Sequence, residues 1–315
     1  MLNSAFLTLK HRGPAILAKA VVNIANANLQ KLLLGRRFIE RQIYSYRMLL
    51  DLEDKGISRS LILFGTRELD HKIILEKVLK PGMAVLDIGA NLGYYVLMEL
   101  ALIGRSGRMV AVEPSPSNIE LLNKNIALNG YRDIPVIAGA VSDSSGEREF
   151  FLAHQSNLNT FHTSGSGAKH LSGLTVKVRT YTVPELAETY GVPDLIRMDV
   201  EGHEIEVFNG LLPAIERGEM SPMIIFETHL SRYGADHDME APLRRLFAAG
   251  YHVRYVASSS ERGTALIDAR GYRGVESVRT DDVERVIYEN IKNDDAIDLI
   301  CKTGGGRTVL LQKAP

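Results

Sequence analysis

The sequence predicts an α/β fold: a Rossmann-like parallel sheet with helices on both faces, an N-terminal helical extension and a β-hairpin insertion. Two observations carry this. Short apolar runs at 83–88, 109–112 and 134–141 alternate with helical patterns at 92–103 and 116–129, and a βαβαβ order predicts a parallel sheet with crossover helices. The run at 83–88 is continuous rather than alternating, as in strands buried on both faces.

The remaining elements follow in order. Residues 38–52 read as a helix closed by a turn at Asp54-Lys55-Gly56. Residues 68–79 form an amphipathic helix that Pro81-Gly82 stops. After the first three strands the rhythm breaks. Residues 148–153 and 175–182 alternate as hairpin strands around a Ser/Gly/His/Asn-rich loop at 154–170. Alternation resumes through 195–199, 204–217, 223–228, 239–249 and 251–257. The stretch 258–306 is less regular, with one helix near 282–292, and 308–312 is a last strand.

Composition narrows the class. The 315 residues carry 37 Lys+Arg against 38 Asp+Glu, so a whole-surface nucleic-acid binder is disfavoured and no nucleic acid is expected as partner. Cys301 is the single cysteine, which excludes a disulfide framework and a multi-thiolate metal site. No run of about 18 apolar residues suggests a membrane span.

Charge is uneven. Residues 1–39 contain no acid but include Lys10, Arg12, Lys19, Lys31, Arg36 and Arg37, and Leu17, Val21 and Ile24 recur at helical spacing. Such a helix packs on its own domain or on a second copy, or lies on an anionic membrane surface. A secretory signal fits poorly and an organelle presequence ranks last, so the expected location is cytoplasmic, with peripheral membrane contact through this segment as a variant. The division expected is 1–64 for the extension and 65–315 for the catalytic domain, with insertions near 144–182 and 258–306.

Ligands of parallel sheets sit at the carboxyl ends of strands. The first such end reads Asp87-Ile88-Gly89-Ala90-Asn91-Leu92-Gly93-Tyr94-Tyr95. Its glycines allow close backbone approach, and the next helix start offers free N–H groups. Glu113 ends the following strand, where a carboxylate can accept both ribose hydroxyls. The dinucleotide pattern G-x-G-x-x-G fails, because Asn91 and Tyr94 replace its later glycines. A nucleoside without a pyrophosphate fits better. S-adenosylmethionine offers a ribose for Glu113 and a cationic end for Asp87.

Here the chain resembles a family. VLDIGANLGYY, AVEPSPSNIELLNKNIALNG, LIRMDVEGHEIEVFNG and IIFETH are similar to the FkbM family of S-adenosylmethionine-dependent methyltransferases over roughly 65–251. The resemblance implies a seven-stranded methyltransferase sheet with an antiparallel last strand. It implies methyl transfer to a hydroxyl of a sugar, a glycan unit or a secondary metabolite. Cofactor contacts are implied on Asp87, Gly89, Asn91, Gly93 and Glu113, with Asp199-Val200-Glu201-Gly202 as the signature. Nothing is implied for the basic helix or for 258–306.

An alcohol needs a base or a metal to take its proton. Asp199 is the expected site carboxylate, with Glu227 and His229 at the next strand end, and His229 is the expected acceptor near neutral pH. Glu201 and Glu204 read equally as first-turn caps. A divalent metal held by Asp199, Glu227 and a histidine suits the oxygen donors, but no compact ligand motif indicates one. Tyr94 is expected to line the cofactor pocket, and the 154–170 loop (His154, Asn157, Asn159, His162, His170) to grip the acceptor. Two rival readings are a nicotinamide-dependent oxidoreductase and a non-catalytic module on the same scaffold.

Overall fold

The computed structural model describes residues 11–162 and 170–314; Lys10 and most of the loop after His162 lie outside them. In chain order the elements are α1 (Pro14–Leu34), β1 (Phe38–Ile43), β2 (Tyr46–Asp51), α2 (Ile57–Phe64), α3 (Leu69–Val78), β3 (Ala84–Ile88), α4 (Tyr94–Ile103), β4 (Arg108–Glu113) and α5 (Pro116–Leu128). Then come β5 (Val136–Ala138), β6 (Ala140–Val141), β7 (Gly146–Ala153), β8 (Leu171–Tyr181), α6 (Val183–Tyr190), β9 (Leu195–Met198), α7 (Glu204–Glu216), β10 (Met223–Glu227) and α8 (Glu240–Ala248). The chain ends with β11 (Tyr251–Ser258), α9 (Glu261–Asp268), β12 (Glu276–Thr280), β13 (Val283–Glu289), α10 (Asn293–Cys301) and β14 (Gly306–Lys313).

The main sheet has the order β12-β13-β11-β14-β10-β9-β3-β4-β5. Its centre is the expected doubly wound layer, with β3, β4, β5, β9 and β10 parallel and β14 antiparallel between β10 and β11. β3 and β9 are neighbours although the chain runs from β3 to β4 on the other side. The strand order therefore reverses at β3, and a crevice opens at the carboxyl ends there. One apolar core packs on each face of the sheet.

Two expected helices are hairpins. In 38–52, Tyr46, Met48 and Leu50 are buried alternately, a period of two that sets a strand face. Tyr44 takes the left-handed conformation that a two-residue turn requires (φ 51°). At 276–289, Asp281 and Asp282 both have positive φ (49° and 66°), turning β12 into β13 in a tight hairpin. The helix expected near 282–292 lies instead at Asn293–Cys301, and the hairpin widens the expected seven strands to nine. Buried Arg285 anchors it, donating to Asp70 Oδ1 of α3 at 2.7 Å. The insertion forms a separate sheet, β6-β8-β7.

α1 packs through Ala20 and Ala27, with Leu17 and Ile24 partly covered. Asn23 donates to the Leu63 carbonyl of α2. Val21, expected inside, faces out. It joins Val22, Leu29, Leu32 and Leu33 on an exposed apolar face, with Leu32 83% exposed. Lys31 pairs with Glu53, Arg37 with Asp51 and Arg12 with Asp282, so part of the segment's charge is engaged by the domain. Among the described residues no helix is long and apolar enough to cross a membrane.

Candidate functional site

Gly89, just beyond β3, lies in the left-handed region (φ 80°), and a Cβ there would stand 2.3 Å from the Asp199 carbonyl oxygen. Only glycine lets the ends of β3 and β9 meet this closely. Asn91, also left-handed (φ 49°), turns its backbone N–H to Glu113 Oε2 at 2.8 Å. Glu113 Oε1 accepts from Ser115 N at 2.9 Å and Asn118 Nδ2 at 3.1 Å. Burial outweighs these bonds and pushes the Glu113 carboxyl up to about 7.

Gly89, Asn91, Glu113, Asp199 and Glu201 line a cavity open to solvent. Its far wall comes from the insertion: Phe150 of β7 meets Phe161 edge-to-face at 4.9 Å, and Ser156, Asn157 and Asn159 complete it. The loop expected to grip an acceptor thus closes the cavity beside Glu113. Asn91 Nδ2 holds it by donating to the Ser156 carbonyl at 3.0 Å.

A second cavity shares Gly89, Asn91, Asn157, Asp199 and Glu201 with the first. It is polar, adding Arg67, Glu68, Tyr94, Arg197, Glu227 and Arg307. Tyr94, expected at the cofactor, lines this side, with its hydroxyl donating to the Arg67 carbonyl at 2.8 Å.

Two expected cofactor residues stand back from the first cavity. Gly93 caps α4 at φ 92°, where a Cβ would reach Leu122 of α5 at 2.7 Å, so it sets helix packing. Asp87 is fully buried and accepts from Arg197 Nη1 at 3.1 Å. Asp87, expected at a cofactor amine, is paired with Arg197 behind the cavity wall, because a buried carboxylate needs a cation. Arg197 also donates to Asp199 Oδ2 at 3.2 Å and stacks on the Tyr95 ring at 4.0 Å. It escaped the sequence reading, although an arginine inside the apolar run Leu195–Met198 signals a buried partner.

The other expected residues do converge. His229 Nδ1 lies 2.9 Å from Glu204 Oε1, and Nε2 lies 3.8 Å from both Asp199 Oδ1 and Glu201 Oε2. Burial opposes charge on this imidazole, but Glu204, Glu227 and Glu201 outweigh it and hold its pKa well above the ordinary histidine range. These neighbouring carboxylates favour the charged form of the ring, so Glu201 and Glu227 join His229 as candidate proton acceptors. Burial pushes Glu201 up to about 8 and Glu227 up to about 7, the latter against the pull of Arg307. Glu204 stays below its ordinary value because His229 offsets its burial.

For a metal, the set differs from that expected. Glu227 is committed to Arg307 Nη1 at 2.8 Å, while Asp199, Glu201 and His229 bring one ligand atom each within 4.8 Å of one another.

Hexuronic acid methyltransferase AglP of Haloferax volcanii is 28% identical over 132 residues, 41% of this chain and 50% of that protein. A protein-L-isoaspartate O-methyltransferase of Methanothrix thermoacetophila is 34% identical over 61 residues, 19% of this chain and 29% of the relative. The chain thus spans half or less of the curated relatives it matches. A solved FkbM methyltransferase from Methylobacillus flagellatus KT aligns with 73% of this chain and 52% of its own at 14% identity and a TM-score of 0.34. Residues 87–253, more than half of the chain, match the methyltransferase FkbM domain: the chain belongs to the FkbM methyltransferase family.

Proposed function

We propose that this protein is an S-adenosylmethionine-dependent O-methyltransferase acting on a hydroxyl of a sugar or a similarly hydroxylated small molecule. The observation that carries this is the shared wall. One cavity runs to Glu113 and a second, polar one runs to Arg67 and Arg307, and Asn91, Asn157, Asp199 and Glu201 border both.

The donor set of the first cavity suits the cofactor. Glu113 keeps lone pairs beyond its three hydrogen bonds, enough to accept a ribose hydroxyl. Phe150 and Phe161 offer apolar faces for a purine. When bound, S-adenosylmethionine supplies an electrophilic methyl group. The chain's part is to align the acceptor oxygen, from which much of the rate derives, and to take its proton. Glu201 and Glu227, with carboxyls titrating near 8 and 7, are the acceptors best matched to neutral pH. His229 Nε2 lies 3.8 Å from both Asp199 Oδ1 and Glu201 Oε2, so the three groups share one proton-handling cluster.

The second cavity suits an acceptor with several hydroxyls, because charged donors and acceptors alternate on its wall: Arg67 pairs with Glu68, and Arg307 with Glu68 and Glu227. The relative named for hexuronic acid supports this choice of acceptor. The test is transfer of label from S-adenosylmethionine to a panel of neutral sugars and uronic acids. Labelled uronic acid supports the reading. Tight binding of S-adenosylmethionine with label on no acceptor in an unbiased extract favours a non-catalytic module, and saturable NAD binding without S-adenosylmethionine binding favours an oxidoreductase.

A further inference from the structure

Apart from the two cavities, His162, Glu206 and His237 converge from the loop after Phe161, the first turn of α7 and the turn beyond β10. Their ligand atoms lie within 4.8 Å of one another. The hydrogen bonding of His237 decides what this means. Its Nδ1 is 2.8 Å from the Arg232 carbonyl oxygen. A carbonyl only accepts, so Nδ1 carries hydrogen. In the neutral ring Nε2 then points its lone pair at Glu206, 3.1 Å from Oε1 and 3.3 Å from Oε2. A lone pair and a carboxylate at that distance repel unless a cation or a second proton stands between them. His162 supplies a further nitrogen: among the described residues its buried Nε2 has no hydrogen-bond partner, and its ring lies 4.7 Å from that of His237.

We propose that His162, Glu206 and His237 bind a divalent transition-metal ion of the zinc class. Two imidazoles and a carboxylate are borderline donors that suit Zn²⁺, whereas Ca²⁺ and Mg²⁺ take oxygen ligands. The Arg232 carbonyl on Nδ1–H is the outer partner that orients a metal-ligating histidine. The ion ties residues 160–162 to α7, and Phe161 in that stretch lines the first cavity. It is a structural clip on a cavity wall, independent of which acceptor is methylated.

The experiment takes the full chain, strips it with a chelator, and titrates Zn²⁺ while measuring bound metal and thermal unfolding. One equivalent binds and raises the melting temperature. His237→Ala and Glu206→Gln each weaken it by about tenfold or more, while Asp199→Asn, in the neighbouring cluster, keeps it. His162→Ala is the second ligand variant if His237→Ala fails to fold, with circular dichroism in chelator as the check. Zinc bound equally by wild type, His237→Ala and His162→Ala overturns the site. So does wild-type protein that binds no zinc.

Discussion

Arg197 Nη1 lies 3.1 Å from Asp87 Oδ1 while its Nη2 lies 3.2 Å from Asp199 Oδ2. One buried cation thus joins the ends of β3 and β9 at the point where the strand order reverses. It fixes the carboxylate that borders both cavities. Asp87 matters through Arg197, which it orients.

Removing that cation leaves two carboxylates without their buried partner. Arg197→Met is expected to destabilise the fold by about 3–5 kcal/mol, measured by urea unfolding. Adding Asp87→Asn should recover part of the loss, because the uncompensated buried charge is then gone. An Arg197→Met protein as stable as wild type contradicts the pairing.

Activity should rise with pH through the neutral range. Glu201 and Glu227 accept a proton only when ionised, and their carboxyls are pushed up to about 8 and about 7. The ionised fraction, and turnover with it, therefore grows from pH 6 towards pH 9. Glu201→Gln should lower kcat by about 10²–10⁴ and remove the upper inflection, while cofactor affinity is kept. A flat profile in the wild type rules out these carboxylates as acceptors.

The outer face of α1 has a consequence of its own. Val21, Val22, Leu29, Leu32 and Leu33 are exposed together, and every charge in residues 1–39 is positive. An apolar face within a positively charged segment complements an anionic bilayer. The protein should sediment with vesicles containing phosphatidylglycerol and stay in solution with pure phosphatidylcholine. Leu32→Gln with Leu33→Gln should release it. A salt-independent dimer that ignores both vesicles, and that the same changes dissolve, assigns the face to a second copy instead.

The buried strands were legible in the sequence because strands covered on both faces are mainly apolar runs rather than alternating ones, as at 83–88 and 195–199, each interrupted by a charge (Asp87, Arg197) that finds a buried partner. Their carboxyl ends made Glu113 and Asp199 candidates by position alone. Two hairpins were not legible. In 38–51 the alternation of Tyr46, Met48 and Leu50 is interrupted by other apolar residues, and at Asp281-Asp282 the turn depends on left-handed backbone at non-glycine residues. Roles set by distant partners were also out of reach. Asp87 meets Arg197 110 positions later. The upward pull on the His229 imidazole comes from carboxylates at two strand ends and a helix start, and these meet only in the folded chain.

The central claim is that Glu113 holds the ribose of an adenosyl cofactor, and calorimetric titration with S-adenosylhomocysteine tests it most directly. Wild-type protein should bind it saturably, and Glu113→Ala should weaken binding by about 1–3 kcal/mol as charge-assisted hydrogen bonds are lost. An unchanged dissociation constant in Glu113→Ala, with binding intact in both proteins, contradicts the account.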